Sequence, residues 1–160
     1  ANNNYYMAVY TPEGITWDDA NTAAVASGNY LATIQSSEEN QFVFNLVSDS
    51  KFWHKPDIYN NCEGAWLGAY DPTKTFAWQW ANGDNWNFSA WSGGEPNNYG
   101  SEDAVIYFGP QNSITSFWNN VGRSYTSYGY IVEANTVPEP SSAAVILGLI
   151  PMLGLIRRRR

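Results

Sequence analysis

Over the first fifty residues the apolar positions follow two different periods. Tyr5 to Tyr10 alternate loosely and predict an opening strand that Thr11, Pro12 and Gly14 bring to an end. Thr16 then stands as the cap of a helix, with Asp18 and Asp19 in its first turn and Gly28 as its stop. Trp17, Ala20 and Ala24 give that helix an apolar stripe at helical spacing, with Val25 as a further candidate. Leu31 to Ile34 form a short strand-like link. Ser36 and Glu39 next make the capping-box pattern that opens a second helix, running to about Asp49. Val43, Leu46 and Val47 mark its buried face, with Phe42 or Phe44 beside them.

After Ser50 the pattern loses its helical period. Residues 51–130 are crowded with Gly, Asn, Trp and Tyr, and strand candidates are short: 65–69, 77–80, 104–108 and 128–133. Between the second and third of these runs an irregular stretch, about residues 81–103. A loop of that length inside a compact domain is uncommon and tends to carry function. From Thr136 the character changes again. Pro138 and Pro140 end regular structure, residues 143–156 hold no charge, and Arg157 to Arg160 close the chain. The stretch from Ser141 to Ile156 reaches about 24 Å as a helix, short of the roughly 20 residues that usually span a bilayer. Snorkelling arginines cover part of that deficit. The expected arrangement is a 1–135 domain, a 136–142 linker, a 143–156 transmembrane helix and a 157–160 end held on the cytoplasmic side by its positive charge.

Composition narrows the function classes. Residues 1–136 contain four basic side chains, Lys51, Lys55, Lys74 and Arg123, against fourteen of the chain's fifteen acids, a formal balance of −10. That argues against nucleic acid as a partner and suits a cation. Cys62 is the only cysteine and His54 the only histidine. No intramolecular disulfide can form, and zinc sites of the usual His/Cys kind and Cys–His or Ser–His–Asp catalysis are excluded unless His54 serves. His54 reads as an exposed loop residue and Cys62 as an inert thiol. No enzyme is expected. The chain opens at Ala1 with no apolar run, as a chain does once a signal peptide has been removed.

The chemistry concentrates in the long loop and just after it. Glu95-Pro96-Asn97, Glu102-Asp103 and Trp118-Asn119-Asn120 bring together side chains that offer oxygen. Calcium takes six to eight oxygen ligands from carboxylates, amide carbonyls and water, and Glu95, Asn97, Glu102, Asn119 and Asn120 are the candidate set. A cis bond at Pro96 would let its two neighbours point the same way. Glu-Pro-Asn alone is a common turn; its order and spacing with the later residues raise it above that.

These residues carry a resemblance. Leu31-Ala32-Thr33-Ile34 followed by Ser-Ser-Glu-Glu-Asn, then Trp66-Leu67-Gly68, Glu95-Pro96-Asn97, Glu102-Asp103 and Trp118-Asn119-Asn120 together resemble the C-type lectin-like domain over residues 5–135. The resemblance implies an α+β fold with two helices, short antiparallel sheets and a long irregular loop region. It implies Glu95, Asn97, Glu102 and Asn119 as side-chain ligands of calcium and as the hydrogen-bonding groups for two neighbouring sugar hydroxyls. Glu-Pro-Asn is the version associated with mannose-, glucose- or fucose-like diols. Trp118 would pack and orient Asn119. A second, auxiliary metal set would comprise Asp71, Asn98, Glu102 and Asp103.

Three positions depart from the family. Asn120 stands where Asp is usual, which removes a carboxylate and weakens calcium binding. The usual disulfide cysteines are missing. Thr75 lies where the auxiliary site often has a carboxylate. The tail, with Pro138, Glu139 and Pro140, an apolar run and terminal arginines, resembles the PEP-CTERM sorting signal of Gram-negative bacteria. It implies export, inner-membrane anchoring before processing by an exosortase-type enzyme, and a final place at the cell surface or in an extracellular matrix rich in exopolysaccharide. The expected function is calcium-dependent carbohydrate binding; the alternative is a structural or protein-interaction module of the same fold that binds no sugar.

Overall fold

The computed structural model describes residues 4–54, 58–100, 102–135 and 156–157. The chain opens with strand β1 (Tyr5–Ile15) and helix α1 (Trp17–Ala26), followed by the short β2 (Tyr30–Leu31) and helix α2 (Ser37–Asn45). A single 3-10 turn (Ser50–Phe52) leads to β3 (Cys62–Tyr70), β4 (Gln79–Trp80), β5 (Ala104–Gly109), β6 (Phe117–Val121) and β7 (Ser127–Ala134). The two residues Ile156–Arg157 form β8.

Thr16 caps α1 as its sequence predicts, its side chain accepting the Asp19 N–H at 3.2 Å. Val25 lies 60% exposed, so the buried stripe is Trp17, Ala20 and Ala24 alone. The second helix ends four residues before the expected Asp49, and its Leu46 is only partly buried while Val43 and Val47 are fully enclosed. Ser36 accepts the Glu39 N–H at 3.2 Å, the first half of the box. The return half differs from the pattern. The Glu39 carboxylate is buried, accepts the Gln35 N–H at 2.6 Å, and accepts a hydrogen bond from the Tyr6 hydroxyl. Glu39 thereby ties α2 to β1. Tyr6 also reaches Glu133 on β7 at 3.2 Å, whose other oxygen holds the Thr33 N–H at 2.7 Å.

The strands form one mixed sheet in the order β6-β5-β3-β7-β1-β8, with β2 joined to β7 and β4 to β3. The expectation of short antiparallel sheets therefore needs correcting. The chain ends of the domain pair through β1 and β7, antiparallel from Tyr5↔Ala134 to Tyr10↔Gly129, while β3 and β7 meet in parallel at Trp66↔Tyr130. The first strand runs past Thr11 and Pro12 to Ile15, with a register shift after Tyr10 that absorbs the proline. Strand β6 was not foreseen, because Asn119-Asn120 has low strand propensity; its pairing with β5 from Ala104↔Val121 to Phe108↔Phe117 overrides that preference.

Alternation along β3, β5 and β7 divides the core in two. Trp66, Ile106, Tyr130 and Val132 face α1 with Trp17, Ala20 and Ala24. Their neighbours Leu67, Val105, Tyr107 and Ile131 face α2 and the aromatic residues of the long loop. Gly68 sits where β2 crosses β3: a Cβ there would lie 2.5 Å from the Leu31 carbonyl oxygen. That close approach, with the Gly68 N–H donating to Ala32 O at 2.9 Å, explains the glycine of Trp-Leu-Gly.

His54 is not a plain exposed loop residue. It is half-buried, stacks on Tyr128 with ring centroids 4.0 Å apart, and its Nε2 meets the Thr126 carbonyl at 2.7 Å. Cys62 is buried in the core.

Most of the tail, residues 136–155 and 158–160, lies outside the described residues, and with it the sorting motif at Pro138, Glu139 and Pro140. Ile156, expected as the helix end, and Arg157 form a two-residue strand. They pair antiparallel with β1, Tyr6↔Ile156 and Tyr5↔Arg157, because the outer edge of β1 offers unpaired backbone groups that a passing segment can take. Among the described residues no helix is long and apolar enough to cross a membrane.

Candidate functional site

Residues 81–103 form the irregular connection between β4 and β5, and tryptophans anchor it. Trp78, Trp80, Trp86, Trp91 and Trp118 pack ring against ring, with centroids from 4.8 Å (Trp80–Trp86) to 6.4 Å (Trp78–Trp86). Such pairs add about 0.5–1.5 kcal/mol each beyond area burial. The loop also runs alongside β6, with Trp118 N–H donating to Ala90 O at 2.8 Å and Ser92 N–H to Trp118 O at 2.9 Å. Trp118 is fully buried and its Nε1 donates to Asn40 on α2 at 2.9 Å. It is a packing residue, as expected.

The segment that follows holds Glu95 and Asn97 together. The Glu95–Pro96 peptide is cis. The Asn97 amide nitrogen donates to one Glu95 carboxylate oxygen at 3.0 Å and the Asn97 backbone N–H to the other at 3.1 Å. Asn98 adopts positive φ, a conformation asparagine tolerates, and turns the chain back. The Tyr99 N–H then reaches both Asn97 Oδ1 at 2.8 Å and Glu102 Oε2 at 3.1 Å. One backbone donor thus bridges two of the candidate ligands. Burial, and after it the negative charge of Glu95, push the Glu102 carboxyl up to about 7. Burial also raises Glu95, against the opposing hydrogen bonds from Asn97. Two carboxylates in a partly dry site, with no Lys or Arg paired to either among the described residues, lack positive charge.

The strand residues Asn119 and Asn120 behave differently. Asn119 is buried, and its Oδ1 has no hydrogen-bond donor among the described residues. A buried acceptor without a donor is costly unless something positive meets it. Asn120 is fully enclosed and occupied: Oδ1 accepts the Asn97 N–H at 3.1 Å, and Nδ2 donates to Asn98 Oδ1 at 2.9 Å and to the Glu102 carbonyl at 3.4 Å. These bonds staple the two halves of the loop.

The residues of the auxiliary set, Asp71, Asn98, Glu102 and Asp103, meet different partners within the chain. Asp71 caps its own turn, accepting from Thr73 N at 3.0 Å, Thr73 Oγ1 at 2.9 Å, Lys74 N at 2.9 Å and Phe76 N at 2.7 Å. Burial alone would raise this carboxyl, but those donors outweigh it and hold it below the usual range. Asp103 meets Arg123 and Lys74, with Arg123 Nε at 3.3 Å and Lys74 Nζ at 3.8 Å. The reason is charge: two basic side chains reach a buried carboxylate that would otherwise be unpaired. Among the described residues no three His, Cys, Asp or Glu side chains gather as a metal-holding cluster. The principal candidate set is two carboxylates completed by amide oxygens.

Sequence reasoning assigned no role to Lys74 or Arg123. Their scarcity was the available signal, since a strongly acidic domain spends its few bases where a buried acid needs them.

Comparison with known proteins is consistent across sequence and structure. The family profile described as Lectin C-type domain matches residues 13–131. The chain is 30% identical over 123 residues to a perlucin-like protein of Mytilus galloprovincialis, covering 76% of this chain and 72% of that one. It is also 30% identical over 118 residues to lectin BRA-3 of Megabalanus rosa, covering 72% of this chain and 62% of the other, under two thirds of that relative's length. Among solved structures, a calcium-independent type II antifreeze protein superposes with a TM-score of 0.65 at 20% identity, covering 84% of this chain and 88% of that one.

Proposed function

The chain belongs to the C-type lectin domain family, and from that premise we propose that it is a calcium-dependent carbohydrate-binding module for mannose-, glucose- or fucose-like vicinal diols. The observation that carries this reading is the Oδ1 of buried Asn119, unpartnered among the described residues, on a strand bordering a loop whose two glutamates meet no counter-charge among those residues. Oxygen-only donors short of positive charge fit a hard cation. Glu95, Asn97, Glu102 and Asn119 would hold calcium, which when bound supplies a fixed charge for two neighbouring hydroxyl oxygens. The protein's own groups do the rest. Carboxylate oxygens accept from those hydroxyls and amide NH2 groups donate to them, so the Glu95–Asn97 order sets which diol fits. With Asn120 occupied in the loop, the ligand count is low and the affinity modest.

Calorimetry with calcium, then with methyl α-mannoside in the presence and absence of calcium, tests the reading. It expects sugar heat only with calcium. Calcium heat without any sugar binding on a glycan array favours the second reading, a structural or interaction module. That alternative has its own support: the Asn97–Asn120 and Tyr99–Glu102 bonds close the loop without a metal, and the fold is shared with a protein described as calcium-independent.

For the tail, the reading is a PEP-CTERM-like sorting segment of an exported bacterial protein, membrane-anchored before an exosortase-type enzyme processes it and then held at the surface or in an exopolysaccharide matrix. Liposome flotation of the full chain against residues 1–135 tests it. Equal partitioning of the two would sink it.

A further inference from the structure

The geometry points to Arg123 and Lys74 as resident cations of Asp103 at the end of the loop, and to Arg123 as a positioning residue, through Asp103, for the neighbouring Glu102. The inference deepens the proposed metal and sugar site and rests on that reading for its calcium arm only.

Three basic residues fall within the described part of residues 1–136: Lys51, Lys74 and Arg123. Two of them converge on one carboxylate. Asp103 is only 5% exposed, and it receives the Arg123 backbone N–H at 3.0 Å, Arg123 Nε at 3.3 Å and Lys74 Nζ at 3.8 Å. Lys74 is half-exposed, so its share is small. Arg123 is moored on its other side as well. It meets Asp18 of α1 at 3.3 Å, and its guanidinium lies 6.0 Å from the ring centres of both Trp17 and Tyr70. Its carbonyl accepts the Trp17 N–H at 3.2 Å. The guanidinium therefore bridges α1, β3 and the end of the loop, a geometry that a flexible ammonium cannot reproduce.

Asp103 transmits this to the site. Its own N–H donates to Val121 O at 3.1 Å and its carbonyl accepts from Asp71 N at 2.9 Å, so backbone and side chain are both fixed. Glu102 directly precedes Asp103, about 3.8 Å away along the chain, so the anchor limits where the Glu102 backbone can lie. The acids of the loop thus differ in charge balance. Asp103 holds its cations within the chain, whereas Glu95 and Glu102 have none among the described residues. The chain should consequently bind one calcium, not two, and the Glu102–Asp103 end should be ordered before it binds.

The test uses the full chain as wild type, Arg123→Gln and Arg123→Lys. Amide hydrogen exchange in EDTA reads Tyr99 and Asp103 against Ile106 and Ile131 in the core. We expect Arg123→Gln to speed exchange at Tyr99 and Asp103 well beyond any change in the core amides, with Arg123→Lys between it and wild type. Calorimetry should give one calcium per chain and an affinity weakened about ten- to a hundred-fold in Arg123→Gln, the usual reach of residues that orient metal ligands. Unchanged exchange at Tyr99 and Asp103, an equal loss of protection throughout the core, or two calcium ions per wild-type chain would overturn the inference. Should wild type bind no calcium, the proposed function fails while the exchange comparison still decides the role of Arg123.

Discussion

Trp118 Nε1 donates to Asn40 Oδ1 at 2.9 Å, so the strand that carries Asn119 and Asn120 is fastened to the second helix by one buried amide. The same oxygen takes the Tyr107 hydroxyl at 3.1 Å, and Asn40 Nδ2 reaches Ser116 O at 2.8 Å. Asn40→Ala would leave the buried Trp118 Nε1 and the Ser116 carbonyl without that partner, while the Tyr107 hydroxyl keeps the backbone carbonyl of residue 40 at 3.2 Å, a loss on the order of 2 kcal/mol. Urea denaturation of the variant measures it, and a loss under about 1 kcal/mol would show that water replaces the amide.

Asn120→Asp should divide its effect between two conditions. The substitution removes the donations to Asn98 and to the Glu102 carbonyl and adds a third acid beside Glu95 and Glu102. In EDTA the variant should be less stable by about 1–3 kcal/mol, and in calcium it should recover, because the added charge strengthens the ion's hold. Equal melting temperatures for variant and wild type in EDTA would refute the staple role of Asn120.

Calcium affinity should rise with pH. The Glu102 carboxyl stands at about 7 in the metal-free fold, above its ordinary value, so the proton competes with the cation below that pH. The sign for stability runs the other way without metal. A folded value above the unfolded one means that this group's favourable contribution is complete below about 4.5. It is then lost as pH climbs towards 7. Calorimetry between pH 5 and pH 8 checks the first trend and thermal melts in EDTA the second, among other titrating groups; Glu102→Gln should flatten both. A flat affinity profile in wild type would remove Glu102 from the metal.

Exchanging Glu95→Gln with Asn97→Asp moves a carboxylate across Pro96 without losing one. Calcium binding should survive within about ten-fold, while sugar preference shifts from mannose-like towards galactose-like diols. A glycan array comparing the two proteins reads the outcome, and an unchanged preference would separate sugar choice from this pair.

Much of the architecture was legible from local pattern. Thr16 and Ser36 announced both helices because a cap satisfies backbone donors through one side chain. Trp66-Leu67-Gly68 marked β3, and the loop from 81 to 103 stood out by its lack of period. The misses have tertiary causes. Glu39 read as a capping partner, yet it is drawn inwards by Tyr6 of β1, a contact thirty-three positions away. Strand β6 hid behind two asparagines that its β5 partner holds in place. Asp71 and Asp103 looked like metal ligands because residue type is visible in sequence, while the donors that satisfy them are brought in by folding. Pairing of Ile156–Arg157 with β1 was likewise invisible, since an edge strand accepts backbone regardless of side-chain pattern.

The chain's one cysteine is enclosed between strands, and tryptophan rings hold the long loop where covalent bridges would otherwise do so. Folding therefore asks nothing of an oxidant, and thiol reductants should leave the domain intact. A laboratory host can make it in a reducing cytosol, and refolding has no mispaired bridges to sort out. Engineering gains as well: a thiol introduced at Val25, 60% exposed on α1, would be the lone accessible handle among the described residues for a dye or a surface coupling.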